Sequence, residues 1–443
     1  MELEVWLNGE HAGCLKYLPA THLFSFEYTP KWTWSDHRYA LCPGLPLEAD
    51  PEESPQVHSA TVRQFFENLL PEGQALDDAA RTHKLSKGNL MGLLAALGGE
   101  TAGALQLRMP GAEPVAVPDE RRALTHEELS ERIRARPYHP FSVWDGRVRL
   151  SIAGYQDKVA VYEDSGQWFL VEGSRLASTH ILKPEPITAA LAGLAANEYF
   201  CMRLAHWAKL PVAPARLVQV PEPVLAVTRF DRERRAEGVV RRHIIDGCQA
   251  LGLSSSLKYE RPYGDLRDVA NLREGASLPM LFRLLYQSPS PAAQRLALLR
   301  WVIFQVLIGN TDAHAKNVSF YVQPGGLVLA PAYDLVCGLA FDAEKLLDTY
   351  AMAIGDAFHP AELSPFEWAN FAHACGLPFK QVSKELKTMS ERVLQALPKT
   401  CAELTEARVA LEIVERIKVI INRECKRQAE LAPQVAKVSA ELF

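Results

Sequence analysis

Apolar and polar positions alternate over Leu3-Glu-Val-Trp-Leu7, which predicts a strand, and the Asn8-Gly9 that follows suits a type I′ hairpin turn. Phe24-Ser-Phe-Glu-Tyr28 repeats the alternation. The period then lengthens: Thr61–Leu70, and after it roughly Leu76–Leu97, carry apolar residues at helical spacing. The first hundred residues therefore read as a small α+β unit. Met109–Pro118, rich in proline, reads as an exposed connection. A second β-rich stretch opens near Arg147. Arg147–Ile152, Lys158–Tyr162, Trp168–Glu172 and His180–Lys183 are short, partly alternating and separated by turn residues, the pattern of consecutive antiparallel strands. A helix over about Leu191–Ala208 and a strand over Val224–Phe230 come next. Beyond Leu278 the pattern is mainly helical, broken by one hairpin, with a last long helix from Leu404 to about Leu431. No internal repeat or low-complexity tract interrupts this order.

Bulk properties narrow the class. A chain of 443 residues exceeds one compact core, so two or three domains are expected. Hydrophobic residues at 48% and charged residues at 23% are those of an ordinary globular protein. A formal net charge of -5 argues against wrapping nucleic acid with the whole surface. The densest basic patch is Arg229, Arg232, Arg234, Arg235, Arg241 and Arg242, a candidate contact for acidic partners or phosphate. The 8 cysteines lie far apart with no Cys-x-x-Cys pair, which points to buried thiols in a reducing compartment rather than a zinc ribbon. The start Met-Glu-Leu-Glu lacks the basic and apolar parts of a signal peptide, and the most apolar run, Leu296–Ile308, is too short to span a bilayer. A cytoplasmic protein without membrane partners is expected.

The strongest chemical signal is Asn310-Thr-Asp-Ala-His-Ala-Lys-Asn317, at the end of that apolar run. Asp312 and Asn317 have the Asp-x-x-x-x-Asn spacing of a protein-kinase catalytic loop, where the Asp takes the acceptor's proton and the Asn ligates Mg²⁺. Alone, such a short motif marks only a turn with a capping Asp. Here it is followed by a strand over Val318–Gln323, a turn at Pro324-Gly325-Gly326, a returning strand and then Asp334, placed to be a second metal-binding carboxylate. Hard Mg²⁺ takes one or two oxygen side chains plus phosphates and water, a requirement that Asn317 and Asp334 suit. His314 lies inside the loop with no second His or Cys to complete a zinc site, so a positioning role is expected. Lys183 ends a strand and could direct its ammonium at ATP phosphates. Glu198, on or beside the apolar face of the next helix, would be costly unpaired, and pairing with Lys183 relieves that cost. The alternative is that Glu198 reaches water at the edge of that face. Ser151-Ile-Ala-Gly-Tyr-Gln-Asp-Lys158 lies between two strands; its small Ala153 and Gly154 could let backbone N–H groups approach phosphate, or it could be a plain hairpin loop. Thr228-Arg229-Phe230-Asp231 closes the β-rich section and could form a hinge whose backbone meets adenine. No Gly-x-Ser-x-Gly elbow supports a hydrolase.

Taken in order, these segments, with Thr179–Lys183, Asn197–Cys201, Cys248–Gly252, Lys258-Tyr-Glu260 and Ala332-Tyr-Asp334, resemble the HipA kinases. Gly44–Leu47 and Glu67-Asn-Leu-Leu-Pro71 extend the resemblance into the first domain, so it spans almost the whole chain. It implies an α+β, protein-kinase-like bilobal fold with a small N-terminal α+β subdomain. The divisions expected are 1–108 for the subdomain, 109–145 for a linker and connecting helix, 146–235 for the β-rich lobe with the ATP loop, and 236–443 for the helical lobe. The resemblance also implies Asp312 as catalytic base, Asn317 and Asp334 as Mg²⁺ ligands, Lys183 on the ATP phosphates and the Thr228–Phe230 backbone on adenine. Ser151 resembles the family serine whose autophosphorylation expels the loop and silences the enzyme; a phosphate there adds nearly two negative charges beside the nucleotide. Tyr155, where the family often has a small residue, and Asp157, where it often has Glu, depart from the pattern.

The partners implied are a small helix-turn-helix antitoxin, operator DNA reached mainly through it, and an aminoacyl-tRNA synthetase as the phosphorylated target. Two further readings stay open at this level. One is a binding module with little catalysis that acts in operon repression; the other is a kinase of small molecules.

Overall fold

The computed structural model describes residues 1–111, 119–149, 156–173, 175–341, 348–406 and 411–443, leaving aside the side chains of Glu406 and Leu411. Ser151, Ala153, Gly154 and Tyr155 lie outside the described residues.

Strands β1 (Glu2–Leu7), β2 (Glu10–Leu18), β3 (Leu23–Tyr28) and β4 (Leu105–Arg108) form an antiparallel sheet in the order β3-β2-β1-β4. Leu3, Val5 and Leu7 face inward while Glu2, Glu4 and Trp6 are half-covered, as the alternation requires. Asn8 and Gly9 both have positive φ, 49° and 86°, which makes their two-residue turn match the twist of the hairpin. Helices α1 (Pro30–Thr33), α2 (Pro55–Glu67), α3 (Gly73–Thr82) and α4 (Leu90–Leu97) complete this subdomain. Helix α2 begins six residues before the expected Thr61, because Ser54 accepts from the Val57 N–H and Pro55 sits in the first turn. The single helix expected over Leu76–Leu97 is two: Lys84 turns left-handed at φ 53°, and Asn89 caps α4 through the Gly92 N–H.

The second sheet has six strands in the order β11-β12-β10-β8-β9-β5. In chain order they are β5 (Glu120–Leu124), β8 (Val159–Asp164), β9 (Gln167–Glu172), β10 (His180–Pro184), β11 (Ala215–Gln219) and β12 (Pro223–Thr228). Between β5 and β8 lie α5 (His126–Arg134) and the two-residue pair β6 (Val143–Trp144) and β7 (Arg147–Val148). Helix α6 (Leu194–Trp207) separates β10 from β11. The strand expected from Arg147 to Ile152 is limited, among the described residues, to Arg147–Val148. Strand β10 pairs with β8 and β12 rather than with its predecessor β9. Segment 109–145 contributes β5 to this sheet as well as α5.

A short hairpin, β13 (Arg232–Arg235) and β14 (Gly238–Arg241), leads into the helical lobe. There β15 (Ile244–Asp246) pairs with the hairpin β16 (Ser319–Gln323) and β17 (Gly326–Leu329), beside α7 (Gly247–Leu251), α8 (Leu278–Leu284) and α9 (Pro291–Leu307). Helices α10 (Pro365–Ala374), α11 (Phe379–Glu406) and α12 (Leu411–Val435) follow. Leu404 thus lies in α11, whose described residues end at Glu406, and Leu411–Val435 forms α12. One apolar cluster runs from Leu3 and Phe66 to Phe304 and Trp368, joining the N-terminal subdomain to the helical lobe; a separate one, with Trp168, Leu182 and Val224, fills the β-rich lobe. The α+β class and the β-rich lobe followed by a helical lobe are as expected.

Candidate active site

A cavity of about 720 Å³ is bordered by both lobes, a volume suited to a small ligand. Lys183, Glu198, Asp312, His314, Asn317 and Asp334 all line it, as do Thr228 and Phe230. The sequence expectation therefore converges on one place. Gln156 and Asp157 also reach its wall.

Strand β10 is paired on both sides, which fixes the direction of Lys183. Its ammonium donates to Glu198 Oε1 at 2.6 Å and to Asp334 Oδ1. Glu198 is buried on α6, so the expected pairing is present and the water-exposed alternative is not. Burial works against the Lys183 cation, but Asp334 and Glu198 outweigh it and hold its pKa above the usual lysine range. Burial pushes the Glu198 carboxyl up to about 7, against the pull of Lys183. Asp334 resists the same penalty and is held well below the carboxylate range by Lys183 and Lys158. Asp334 also adopts φ 54°, a left-handed conformation uncommon for a residue with a side chain.

The loop carrying Asp312 is set by the end of α9. Gly309 takes φ 65°, ending the helix in the manner of a left-handed cap. Asn310 donates to Gln305 Oε1 at 2.8 Å and accepts from the Asp312 N–H at 2.9 Å. Asn317 Nδ2 donates to the Asp312 carbonyl at 2.8 Å, so its amide oxygen remains the atom offered to a cation. The Asp312 side chain is 60% exposed but stands in the cleft, where partial desolvation raises its pKa while the Tyr259 hydroxyl, donating to Oδ1 at 2.5 Å, opposes the rise. His314 lies 3.9 Å from that carboxylate, beyond hydrogen-bonding distance, and packs edge-on against the Tyr259 ring. Burial lowers its pKa to about 3, leaving it neutral at pH 7.

At the other wall, the Thr228 N–H is donated to Pro214 and the Arg229 N–H to Thr179, while the Phe230 carbonyl accepts from the Tyr321 hydroxyl. Phe230 packs against Tyr333, next to Asp334.

Two family models match the chain: a HipA N-terminal domain over residues 3–108 and a HipA-like C-terminal domain over residues 150–399. The chain belongs to the HipA family. It is 37% identical over 402 residues to the "Serine/threonine-protein kinase toxin HipA" of Shewanella oneidensis, covering 90% of this chain and 88% of that one. It is 34% identical over 412 residues to the "Putative kinase Y4mE" of Sinorhizobium fredii, covering 91% and 93%. Its structure is similar to the HipA of the Shewanella oneidensis MR-1 HipA, HipB and operator DNA complex, with a TM-score of 0.86, 34% identity and coverage of 99% and 100%.

In this HipA-family chain the arginine cluster is only partly a surface. Arg229, Arg232 and Arg241 are buried; Arg234, Arg235 and Arg242 remain exposed. The buried three surround Asp231 and Glu100, and Arg229 and Arg232 also donate to the Thr101 carbonyl, tying the N-terminal subdomain to the hinge segment. The one-dimensional run of arginines carried no sign of which side chains would turn inward. Lys158, Lys258 and Tyr259 also line the cavity; each belongs to a motif that carries the family resemblance, but spacing alone assigns none of them a role. Lys158 is buried, and its desolvation lowers its pKa to about 8 in spite of Asp334. Asn68 and Glu72, which also line the cavity, come from the N-terminal subdomain, too far away in sequence for any local spacing to associate them with Asp312. All the described cysteines are free thiols. No helix among the described residues is long and apolar enough to cross a membrane.

Proposed function

We propose that this HipA-family chain transfers the γ-phosphate of ATP to a serine or threonine of a protein, as the toxin of a toxin–antitoxin pair. The observation that carries the reading is the Lys183 ammonium bonded to both Glu198 and Asp334, in one cavity with Asp312 and Asn317. A catalyst of phosphoryl transfer needs little covalent chemistry and much positioning of charge. Lys183, fixed by Glu198, supplies a cation for the phosphates. Asp312 accepts the proton of the acceptor hydroxyl as its oxygen bonds to the γ-phosphorus and the bond to ADP breaks. Tyr259 orients the accepting carboxylate, and the Thr228–Phe230 segment receives the adenine.

Among the described residues no group of three or more His, Cys, Asp or Glu is placed to hold a metal ion. The donors available are the Asn317 amide oxygen and the Asp334 carboxylate, and two such oxygens completed by phosphates and water form the set magnesium takes. Bound there, Mg²⁺ would neutralise charge on the phosphates.

The resemblance extends the proposal. Ser151 is the site of a silencing autophosphorylation, with Ala153 and Gly154 in the loop over the phosphates. The partner is a helix-turn-helix antitoxin through which the chain reaches operator DNA, supported by the HipB and DNA present in the similar structure. The target is an aminoacyl-tRNA synthetase in the cytoplasm, whose modification arrests translation and growth. The domain divisions at 108, 145 and 235 belong to the same proposal, with β5 of the 109–145 segment joining the sheet of the β-rich lobe. Incubating the purified chain with ATP, Mg²⁺ and cell lysate, followed by phosphopeptide mapping, tests the reading. It expects phosphoserine or phosphothreonine on a synthetase and at Ser151. Transfer solely to small molecules would contradict it.

A further inference from the structure

Asn68 and Glu72 are the polar residues among those of the N-terminal subdomain that line the cavity, with Leu69 and Ala102 beside them. Asn68 follows α2 as its C-cap and is buried. Its Oδ1 and its own carbonyl accept from Lys316 Nζ at 2.8 and 3.3 Å, while its Nδ2 donates to the carbonyls of Gln64 and Leu253 at 2.8 Å each. Glu72 stands at the N-cap of α3 but makes no capping bond with its side chain. Instead its Oε2 accepts from Lys258 Nζ at 2.6 Å, and its Oε1 faces Lys316 Nζ at 3.7 Å.

Both lysines hold the loop by their main chains as well. The Lys258 carbonyl accepts from the Ala315 N–H at 3.1 Å, and the next residue, Tyr259, bonds Asp312. The Lys316 carbonyl accepts from the Tyr333 hydroxyl at 2.7 Å, one residue before Asp334. The Lys316 ammonium is buried and also bonds Asp246 Oδ2 at 2.6 Å; Asp246 caps α7 with Gln249, whose amide donates to the Phe65 carbonyl of the N-terminal subdomain. Among the described residues, the hydrogen bonds and ion pairs of Lys316 thus lead to the subdomain, to Asp246 and to Tyr333. A structure that merely docked a subdomain would not need charged groups here, where desolvating them is costly. The apolar cluster shared between the subdomain and the helical lobe already supplies docking.

We infer that Asn68 and Glu72 are positioning residues for phosphate transfer: through Lys316 and Lys258 the N-terminal subdomain fixes Asp312 and Asp334 relative to each other. Glu72 pairs with Lys258 and, together with Asp246, offsets the charge of Lys316 beside the Asp312 loop, while Asn68 fixes the position of Lys316. This rests on the function proposed above. It assigns the subdomain a part in the chemistry rather than only in binding a partner.

The test compares the full chain with Glu72→Gln, Glu72→Asp and Asn68→Leu, reading γ-phosphate transfer and, separately, hydrogen exchange of the 310–317 amides. Displacement of reacting groups by about 1 Å costs up to about 100-fold in rate. Glu72→Gln and Asn68→Leu are expected to lower kcat at least tenfold with KM for ATP within about twofold, with Glu72→Asp recovering part of the loss. The same two variants are expected to speed exchange of the loop amides more than of the rest of the chain, while far-UV circular dichroism shows them folded at the assay temperature even where the broken contacts lower the unfolding midpoint. Unchanged kcat and unchanged loop exchange would overturn the inference, as would a loss in kcat matched by general unfolding. Were the wild-type chain to transfer no phosphate, the proposed function would fall, and loop exchange would still decide whether the subdomain holds the loop.

Discussion

The Tyr259 hydroxyl donates to Asp312 Oδ1 at 2.5 Å, across 53 residues of sequence. Tyr259 is itself braced by the neutral His314 ring, 5.0 Å between centroids. The bond fixes one oxygen of the carboxylate and leaves the other to meet an acceptor hydroxyl. Removing it in Tyr259→Phe keeps the ring packing and releases the carboxylate. A hydrogen bond to a charged group is worth about 1.5–3 kcal/mol, so kcat is expected to fall about tenfold or more. KM for ATP should be unaffected, because Tyr259 bonds the carboxylate that the proposed mechanism assigns to the acceptor hydroxyl. Steady-state kinetics with both substrates varied checks this; a variant that loses only ATP affinity would place Tyr259 elsewhere in the mechanism.

Lys183→Met leaves Glu198 buried beside Asp334 with no cation between them. Breaking such a pair from one side costs about 3 kcal/mol, read by urea unfolding. The cost depends on pH with a definite sign. Without the lysine, the already raised Glu198 pKa rises further, so the folded state binds a proton that the unfolded state releases. That contribution is present at low pH and is lost as pH rises through the folded pKa. The deficit against wild type is therefore larger at pH 8 than at pH 5, and an equal deficit at both would contradict the assignment.

Glu100 joins Arg229, Arg232 and Arg241, and these guanidiniums overcome its burial to hold its pKa down to about 2. Glu100→Ala leaves Arg229 and Arg232 bonded to Asp231 and takes from Arg241 its Glu100 partner. Because the Glu100 side chain is 30% exposed, the expected loss is about 2 kcal/mol, below that of a fully buried pair. Differential unfolding curves of wild type and variant measure it.

His243 is buried with its pKa lowered by burial to about 4, and its Nε2 lies 3.0 Å from the Leu41 carbonyl. The neutral ring is the folded form. A lowered histidine contributes stability that is present above its unfolded pKa, near 6.5, and lost as pH falls towards the folded value. At pH 5 this amounts to about 2 kcal/mol from His243 alone. His243→Gln should show a shallower loss of stability between pH 7 and pH 5 than the wild type; equal slopes would show that the ring takes up its proton in the fold as readily as in the unfolded chain.

The features of the fold that could be read from the chain were those with local chemistry. Asn8-Gly9, the β16–β17 hairpin and the alternation of β1 each announce themselves within a few residues. The two strands of the six-stranded sheet that escaped are its edges, β5 and β11. An edge strand is half-solvated and carries charge, as in Glu120-Arg-Arg-Ala-Leu124, so its alternation is weak. The site divides in the same way. Lys183, Asp312, Asn317 and Asp334 were marked by spacing and by the turn between strands, whereas Asn68, Glu72 and the inward arginines depend on contacts made over more than a hundred residues. Glu198 was readable because a carboxylate on an apolar face requires a partner.

In the proposed function Asp312 serves transfer from ATP to a protein hydroxyl. Purified wild type and Asp312→Asn, each with Mg²⁺ and ATP labelled at the γ-phosphate, are compared for labelling of protein, alongside binding of a fluorescent ATP analogue. The account predicts labelled protein with the wild type, labelling lost by at least about 100-fold in the variant, and analogue affinity unchanged between them. Equal labelling by both would contradict it.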